Sequence, residues 1–389
     1  AATPLVEIER MLGQRGQQLA FEPPDWSALL GSHGSGTKRH LGHPVQAAAT
    51  LDMSAFSGVI AYEPEELILD VGAATPLVEI ERMLGQRGQQ LAFEPPDWSA
   101  LLGSHGSGTV GGLVACNLSG PRRLKAGAVR DHILGIHGIT GAGNVFKAGA
   151  RVVKNVTGYD MPKLLTGSYG TLAALTSVIL KVLPAPETEE TVVLTGLDDE
   201  KAVEAMSLAM QSACEVSAAA YVPGEAVYLR LEGIAPSVSY RRDQLGKVLK
   251  RPIEVMAAKS STAKWRTIRD GAMFVENPHH PLWRISVAPS DAPGMIRMLK
   301  DKLDIRYLFD WAGGLVWLEV PPSHDAAAAL VRSSFASGHA TLIRAPEATR
   351  AAVDVFQPQA PALAALSGRV KDAFDPRHIL NPGRMYRGI

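Results

Sequence analysis

The chain has 389 residues, enough for two or three domains. A hydrophobic share of 46% and a charged share of 20% are those of an ordinary globular protein, and 39 basic residues against 39 acidic ones give nothing to draw it to nucleic acid or an anionic membrane. Two cysteines, Cys116 and Cys214, are too few for a disulfide framework, a zinc site or an iron–sulfur cluster of the chain's own, and read as small buried hydrophobes in a reducing compartment.

The first element is a repeat. Residues 1–37, AATPLVEIERMLGQRGQQLAFEPPDWSALLGSHGSGT, return letter for letter at 73–109. Solenoid repeats drift and come in threes or more, so two perfect copies read as a recent duplication or an assembly event. In the second copy Thr75 caps a helix with Pro76 at its first position. Leu77, Ile80 and Leu84 then share one face, Gly88 ends the helix, and LAFEP follows as a short strand. This copy leads into TVGGLVACNLSG and is taken as the native one. The first leads into GSGTKRHLG, where it either stands in as a makeshift helix and strand or hangs loose.

Residues 38–186 carry short strand-like runs: ATLDMS, GVIAYEPEELILDVG, HILGIHGIT and ALTSVILKVL. GITGAGNVF predicts a hairpin turning at 141–144, and PAPE at 184–187 marks a boundary. Beyond it come strand ETVVLTGL, a helix over 199–212, strands EVSAAAYV and AVYLRLEG, a helix over 238–249 and strand PIEVMA. That β-α-β-β-α-β order is a ferredoxin-like unit. It recurs as LWRISVA, a helix over 292–302, IRYLFDW, LVWLEVP, a helix over 325–337 and ATLIRA. Two such units predict an eight-stranded antiparallel sheet with helices on one face. The tail carries a helix near 360–373 and ends FDPRHILNPGRMY.

Four glycine-rich stretches stand out: 34–42, 106–123, 127–135 and 149–176. Clustered glycines let successive amides face one concavity, and such nests bind phosphate oxygens. Ser107, Thr109, Thr157, Ser168 and Thr171 add hydroxyl donors. GSHGSG has the wrong spacing for a dinucleotide-binding βαβ fingerprint, and no GxxxxGK[ST] loop is present. The sequons at Asn117 and Asn155 are chance matches in a chain with no mark of secretion.

The run from TVGGLVACNLSGPRR to TGSYGTLAALTSVILKVLP resembles the FAD-binding (PCMH-type) domain of the vanillyl-alcohol-oxidase superfamily. RVVKNVTGYDMPKLLTGSYGTLA, FDPRHILNPGRMY, LAFEPPDW and PLWRISVAP are similar, more narrowly, to the smaller FAD-binding subunits of bacterial glycolate oxidases, also called glycolate dehydrogenases. The resemblance runs from about residue 34 to the end. It implies an α+β chain: a two-subdomain FAD-binding domain over 38–186, a cap of two ferredoxin-like units over 187–345, and a tail over 346–389 packing back on the FAD domain. Residues 1–37 stand outside as the duplicate, in place of the family's own first strand and helix.

Residue by residue, the resemblance places Gly34, Ser35, Gly36 and Thr37 in the first pyrophosphate loop and Thr109, Gly111 and Gly112 in the second. Ser119, Gly120, Gly127 and Asp131 match the next cofactor-lining segment. Lys154, Asn155, Thr157, Gly158, Tyr159 and Asp160 match the loop near the flavin, and Gly167, Ser168, Gly170 and Thr171 the turn into the closing strand. Relatives that attach FAD covalently use a histidine in the first loop. Ser35 and Thr37 stand there instead, with His33 and His40 only flanking, so non-covalent FAD is expected.

Oxidising a 2-hydroxy acid needs a hydride acceptor, a base for the hydroxyl proton and a cation for the carboxylate. The HxGDGN-type segment and His–Glu metal cluster of catalytic subunits in this superfamily are missing from the sequence, so the catalytic residues stay unassigned and no metal is expected. His279, His280, Arg269, Arg284, Trp311, His339 and Arg344 are the available cap side chains. Trp265, Trp283, Trp311 and Trp317 read as core or as interface anchors. The resemblance implies a cytoplasmic complex, peripheral at most to the inner membrane. There a second flavin subunit oxidises glycolate and an iron–sulfur subunit carries the electrons away. A stand-alone hydroxy-acid oxidase and a flavin-free scaffold are the alternatives.

Overall fold

A computed structural model describes residues 30–33, 36–104, 106–150 and 159–389. The helix and LAFEP strand expected of the first copy lie outside these residues. Its end does not: Leu30–His33 (β1) runs parallel to Ala49–Asp52 (β2), Leu30 opposite Ala49 and His33 opposite Asp52. Val59–Glu63 (β3) and Ile68–Gly72 (β4) come next, then the two-residue β5 (Gln89–Gln90). Ile133–Thr140 (β6), Val145–Gly149 (β7) and Ala173–Lys181 (β8) complete an antiparallel sheet in the order β3-β4-β8-β6-β7. The β6–β7 hairpin turns at 141–144 as its glycines predict, with Gly143 at φ +87°. Leu183–Pro184 (β9) pairs back onto β5.

The second copy folds around this sheet with two departures from expectation. The Leu77–Gly85 helix does bury Leu77, Ile80 and Leu84, but Thr75 does not cap it. The Thr75 hydroxyl instead donates to Gly72 O at 2.7 Å and accepts the Gly58 N–H at 2.9 Å, closing the corner after β4. The strand lies at β5, before LAFEP; Leu91, Ala92 and Phe93 turn inward and are buried there.

In the second half, Thr188–Thr195 (β10), Ala218–Val222 (β11), Ala226–Gly233 (β12) and Glu254–Met256 (β13) form the first unit. Leu282–Ser286 (β14), Arg306–Asp310 (β15), Leu315–Glu319 (β16) and His339–Arg344 (β17) form the second. The eight strands run β13-β10-β12-β11-β15-β16-β14-β17, so the units join through their second strands, with Tyr221 opposite Phe309. Side chains alternate across the sheet, as a strand's two-residue period requires. Along β16, Val316 and Leu318 enter one core with the helices Asp199–Gln211, Ala235–Leu249 and Ala292–Lys300, while Leu315 and Trp317 enter the core shared with the first half. The helix Ala258–Arg269 packs Trp265 and Ile268 into that shared core, so the helices are not all on one face.

The two halves are also clamped by charge. Arg230 donates to both Glu94 carboxylate oxygens, at 2.8 and 2.9 Å, and Arg122 pairs with Glu232 at 2.6 Å. Trp98 meets Trp317 edge to face at 5.3 Å. Trp265, Trp283, Trp311 and Trp317 are all at least 94% buried, so they act as internal packing and not as exposed anchors. The Pro361–Phe374 helix returns to the first half: Lys371 Nζ, fully buried, donates to Thr171 O at 2.7 Å and to Asp375 at 2.7 Å. Among the described residues no helix is long and apolar enough to cross a membrane.

Candidate functional site

Three backbone turns converge on one cleft. Gly36 sits at φ +77°, a conformation that costs little only without a Cβ, and its carbonyl accepts the Arg39 N–H. This turn delivers Thr37 and Lys38 to the cleft. Opposite, Thr109 Oγ1 accepts the Gly112 N–H at 3.3 Å and caps the Val110–Cys116 helix. A Cβ on Gly111 would fall 2.7 Å from Ala73 O, so only glycine lets that helix approach the end of β4. The third wall is the turn at Tyr169 and Gly170, whose carbonyls both accept from Asn381 Nδ2, at 3.2 and 3.1 Å. Met53, Ala173 and Ala174 are apolar walls of the cleft, whose mouth is open to solvent.

Its electrostatics are unusual. Lys38 and Arg384 both line the cleft, and neither forms an ion pair with a described residue. Burial lowers the pKa of each. Arg384 donates to Lys38 O at 2.7 Å through its Nη2, while its buried Nε has no partner among the described residues. Two half-buried cations on one cleft, with no carboxylate partner among the described residues, favour an anion there. Two amides that the glycine pattern would aim at phosphate are already engaged: Gly111 N–H donates to Ala73 O at 2.7 Å, and Gly112 N–H to the Thr109 cap. Gly111 therefore provides close approach, and the cations provide the charge.

Of the sequence-predicted site residues, Gly36, Thr37, Thr109, Gly111, Gly112 and Gly170 come together here. Gly34, Ser35, Lys154, Asn155, Thr157 and Gly158 lie outside the described residues. The others hold the surroundings. Ser119 accepts the Val129 N–H, and Gly120 O accepts Trp311 Nε1 at 3.1 Å. Gly127 takes φ +87° before the Val129–His132 turn of helix, where Asp131 accepts the Ala128 N–H. Asp160 caps Met161–Leu165, and Tyr159 beside it is 92% exposed. Gly167 donates to Val114 O, and Ser168 O accepts the Thr171 hydroxyl. In the cap, Arg344 is tied to Glu319 and Phe274 O, Arg269 to Asp270, and His280 O to Arg344, all structural links; His339 is exposed.

Sequence reasoning missed Lys38, Asn381 and Arg384. All three sit in stretches that stand out, GTKRHLG and NPGRMY, but nothing local says that the chain's end folds onto its first glycine loop.

Residues 32–149 match the family model described as an FAD binding domain. Over 381 residues, 97% of each chain, the protein is 35% identical to "Glycolate oxidase subunit GlcE" of Escherichia coli K12. The chain belongs to the GlcE family of glycolate oxidase subunits. Half of the chain is also 29% identical to 39% of "Glycolate oxidase subunit GlcD" from Bacillus subtilis. The fold matches p-cresol methylhydroxylase at a TM-score of 0.68, with 15% identity over 91% of this chain and 84% of that one. It matches alkyldihydroxyacetonephosphate synthase at 0.62, again with 15% identity, over 91% and 72%. As a GlcE-family chain the protein is an FAD-dependent oxidoreductase, and its cofactor is FAD. The cleft suits that group: glycine-walled, partly apolar, and holding a buried guanidinium nitrogen that lacks an acceptor among the described residues.

Proposed function

We propose that this chain is the second flavin subunit of a multi-subunit glycolate dehydrogenase, in which glycolate becomes glyoxylate and electrons leave through flavin to an iron–sulfur subunit. One observation carries the reading: Lys38 and Arg384, half-buried without a carboxylate partner among the described residues, line the cleft with its glycine turns. Two cations matched to two phosphates is the pairing expected for a diphosphate. Gly36, Thr37, Lys38, Thr109, Gly111, Gly112, Gly170 and Arg384 would hold it. When bound, FAD supplies an acceptor for the two electrons leaving the substrate carbon. The chain's own residues orient the cofactor, and the packed seam between its halves keeps water from it. With only two cysteines, the chain calls on another subunit to ligate a cluster.

The test is flavin per chain, measured alone and after co-expression with the partner subunits, together with glycolate-dependent dye reduction. Stoichiometric FAD is expected, with reduction by glycolate only in the complex. Lys38→Ala and Arg384→Ala should each weaken FAD retention about tenfold or more. A colourless wild-type chain would overturn the reading in favour of a scaffold. Bleaching of the isolated chain by glycolate would make it a stand-alone enzyme.

A further inference from the structure

We propose that Arg123 and Arg284, both laid over the ring of Trp311 at the seam between the two halves, form a binding site for a small carboxylate. The proposal rests on the reading of the chain as a flavin subunit and adds to it a place for the acid group of a substrate or product.

The two guanidinium carbons lie 4.6 and 4.8 Å from the Trp311 ring centroid. Arg123 comes from the short Arg123–Ala126 helix of the first half, Arg284 from β14 of the cap. Neither side chain makes a hydrogen bond or an ion pair with a described residue. Arg123 and Arg284 are half-buried, and other buried or half-buried arginines of this protein behave differently. Arg230 is bound to Glu94, Arg344 to Glu319, and Arg122, next to Arg123, to Glu232. Burial, and then the charge of Arg123, lowers the pKa of Arg284 to about 10. The acids that act on the pair are exposed Asp131, on Arg123, and buried Asp310, on Arg284; Asp310 is the one held inside the fold. Its Oδ1 accepts the Trp311 N–H at 2.7 Å, and burial raises its pKa to about 7, so it is a poor counter-charge.

Trp311 is held in place for this role. Its Nε1 donates to Gly120 O, so the ring cannot swing out of the seam. Trp311 and Ala312 both adopt left-handed backbone, at φ +51° and +56°, which costs a bulky residue free energy and marks positions the surroundings have imposed. Tyr169, a wall of the FAD cleft, is an electrostatic neighbour of Arg284, which puts that arginine on the cleft's side of the seam. Two guanidinium forks against one indole, with no acceptor among the described residues, offer the paired donors that a carboxylate's two oxygens can take.

The experiment titrates the full flavin-loaded chain with oxalate, by calorimetry and by flavin absorbance, against sodium chloride of equal ionic strength. Saturable one-to-one binding is expected. Arg284→Gln and Arg123→Gln should each weaken it roughly thirtyfold or more, while Arg284→Lys recovers part of the loss by restoring charge without the fork. Should Arg284→Gln fail to fold, the Arg123→Gln variant on the short helix decides. Oxalate binding by a chain that carries no flavin would support this site while sinking the flavin-subunit reading. Folded variants with wild-type oxalate affinity, or a flavin-loaded wild type that gives no heat, would overturn the proposal.

Discussion

The same four letters, Leu-Gly-Ser-His, form strand β1 at 30–33 in the first copy, and in the second, from Leu102, the chain turns instead. A few residues on, the Gly-Thr pair differs again. Gly36 is left-handed and starts a turn; its counterpart Gly108 is not, and Thr109 after it caps a helix. Yet both pairs reach one cleft, where a Cβ on Gly108 would lie 3.6 Å from Thr37 Oγ1. Identical local propensities cannot produce this difference. The residues downstream of each copy do: KRHLG supplies a cation and a turn, whereas VGGLVAC supplies apolar residues and two glycines for a helix pressed against β4. Propensity sets a menu, and tertiary partners choose from it.

Mutations can break or sharpen this comparison. The largest effect is expected where the second copy is clamped to the cap. Glu94→Gln takes the charge from the carboxylate that Arg230 grips with both Nη atoms and leaves it only Glu232 at 3.6 Å, so a loss of about 3–5 kcal/mol should appear in denaturant unfolding. Burial alone would raise the Glu94 pKa, but Arg230 and Arg122 outweigh it and hold it at about 2. With the folded value below the usual 4.5, wild-type stability should be full above that pH and drain away as pH falls towards 2. Glu94→Gln should flatten that slope. Next, Phe93→Ala empties a fully buried site in the shared core and should cost about 3–5 kcal/mol, less if the seam relaxes. A midpoint unchanged in denaturant would mean the second copy is not the integrated one.

Smaller effects separate the paired threonines and glycines. Thr109→Ala removes a helix cap and should lower stability by about 1 kcal/mol, and Thr37→Ala, which caps no described helix, by less. Both should lower FAD content. The two glycines bracket these values. Gly36→Ala forces a side chain into left-handed backbone at a cost of about 1–2 kcal/mol. Gly108→Ala puts a methyl group 2.6 Å from Lys38 Nζ, which a flexible side chain can yield, so its signature should be weaker FAD retention at nearly unchanged melting temperature. Equal behaviour of the two glycine variants would erase the distinction drawn between the copies.

The cap was largely legible because its strands pair with near neighbours and alternate visibly, as LVWLEV does. The Ala258–Arg269 helix was not, because AKSSTAKWRTIR has too few apolar residues to show a stripe, and only Ser261, Trp265 and Ile268 are buried. Thr75 misled because a threonine before proline suits a cap, and here a β-corner took its hydroxyl. In the cleft, glycines announced themselves by clustering. The charges did not, since Lys38 and Arg384 are joined only when the tail crosses back over the first loop.

That crossing orders events in time. Arg384 follows Lys38 by 346 positions, and Asn381, which steadies the Tyr169–Gly170 turn, is close by. Until the chain has been made as far as Arg384, the anion seat has only one of its two positive walls. Cofactor capture therefore waits on the stretch that carries Asn381 and Arg384, and a truncation just before Asn381 would strip the seat of that wall while sparing both large sheets.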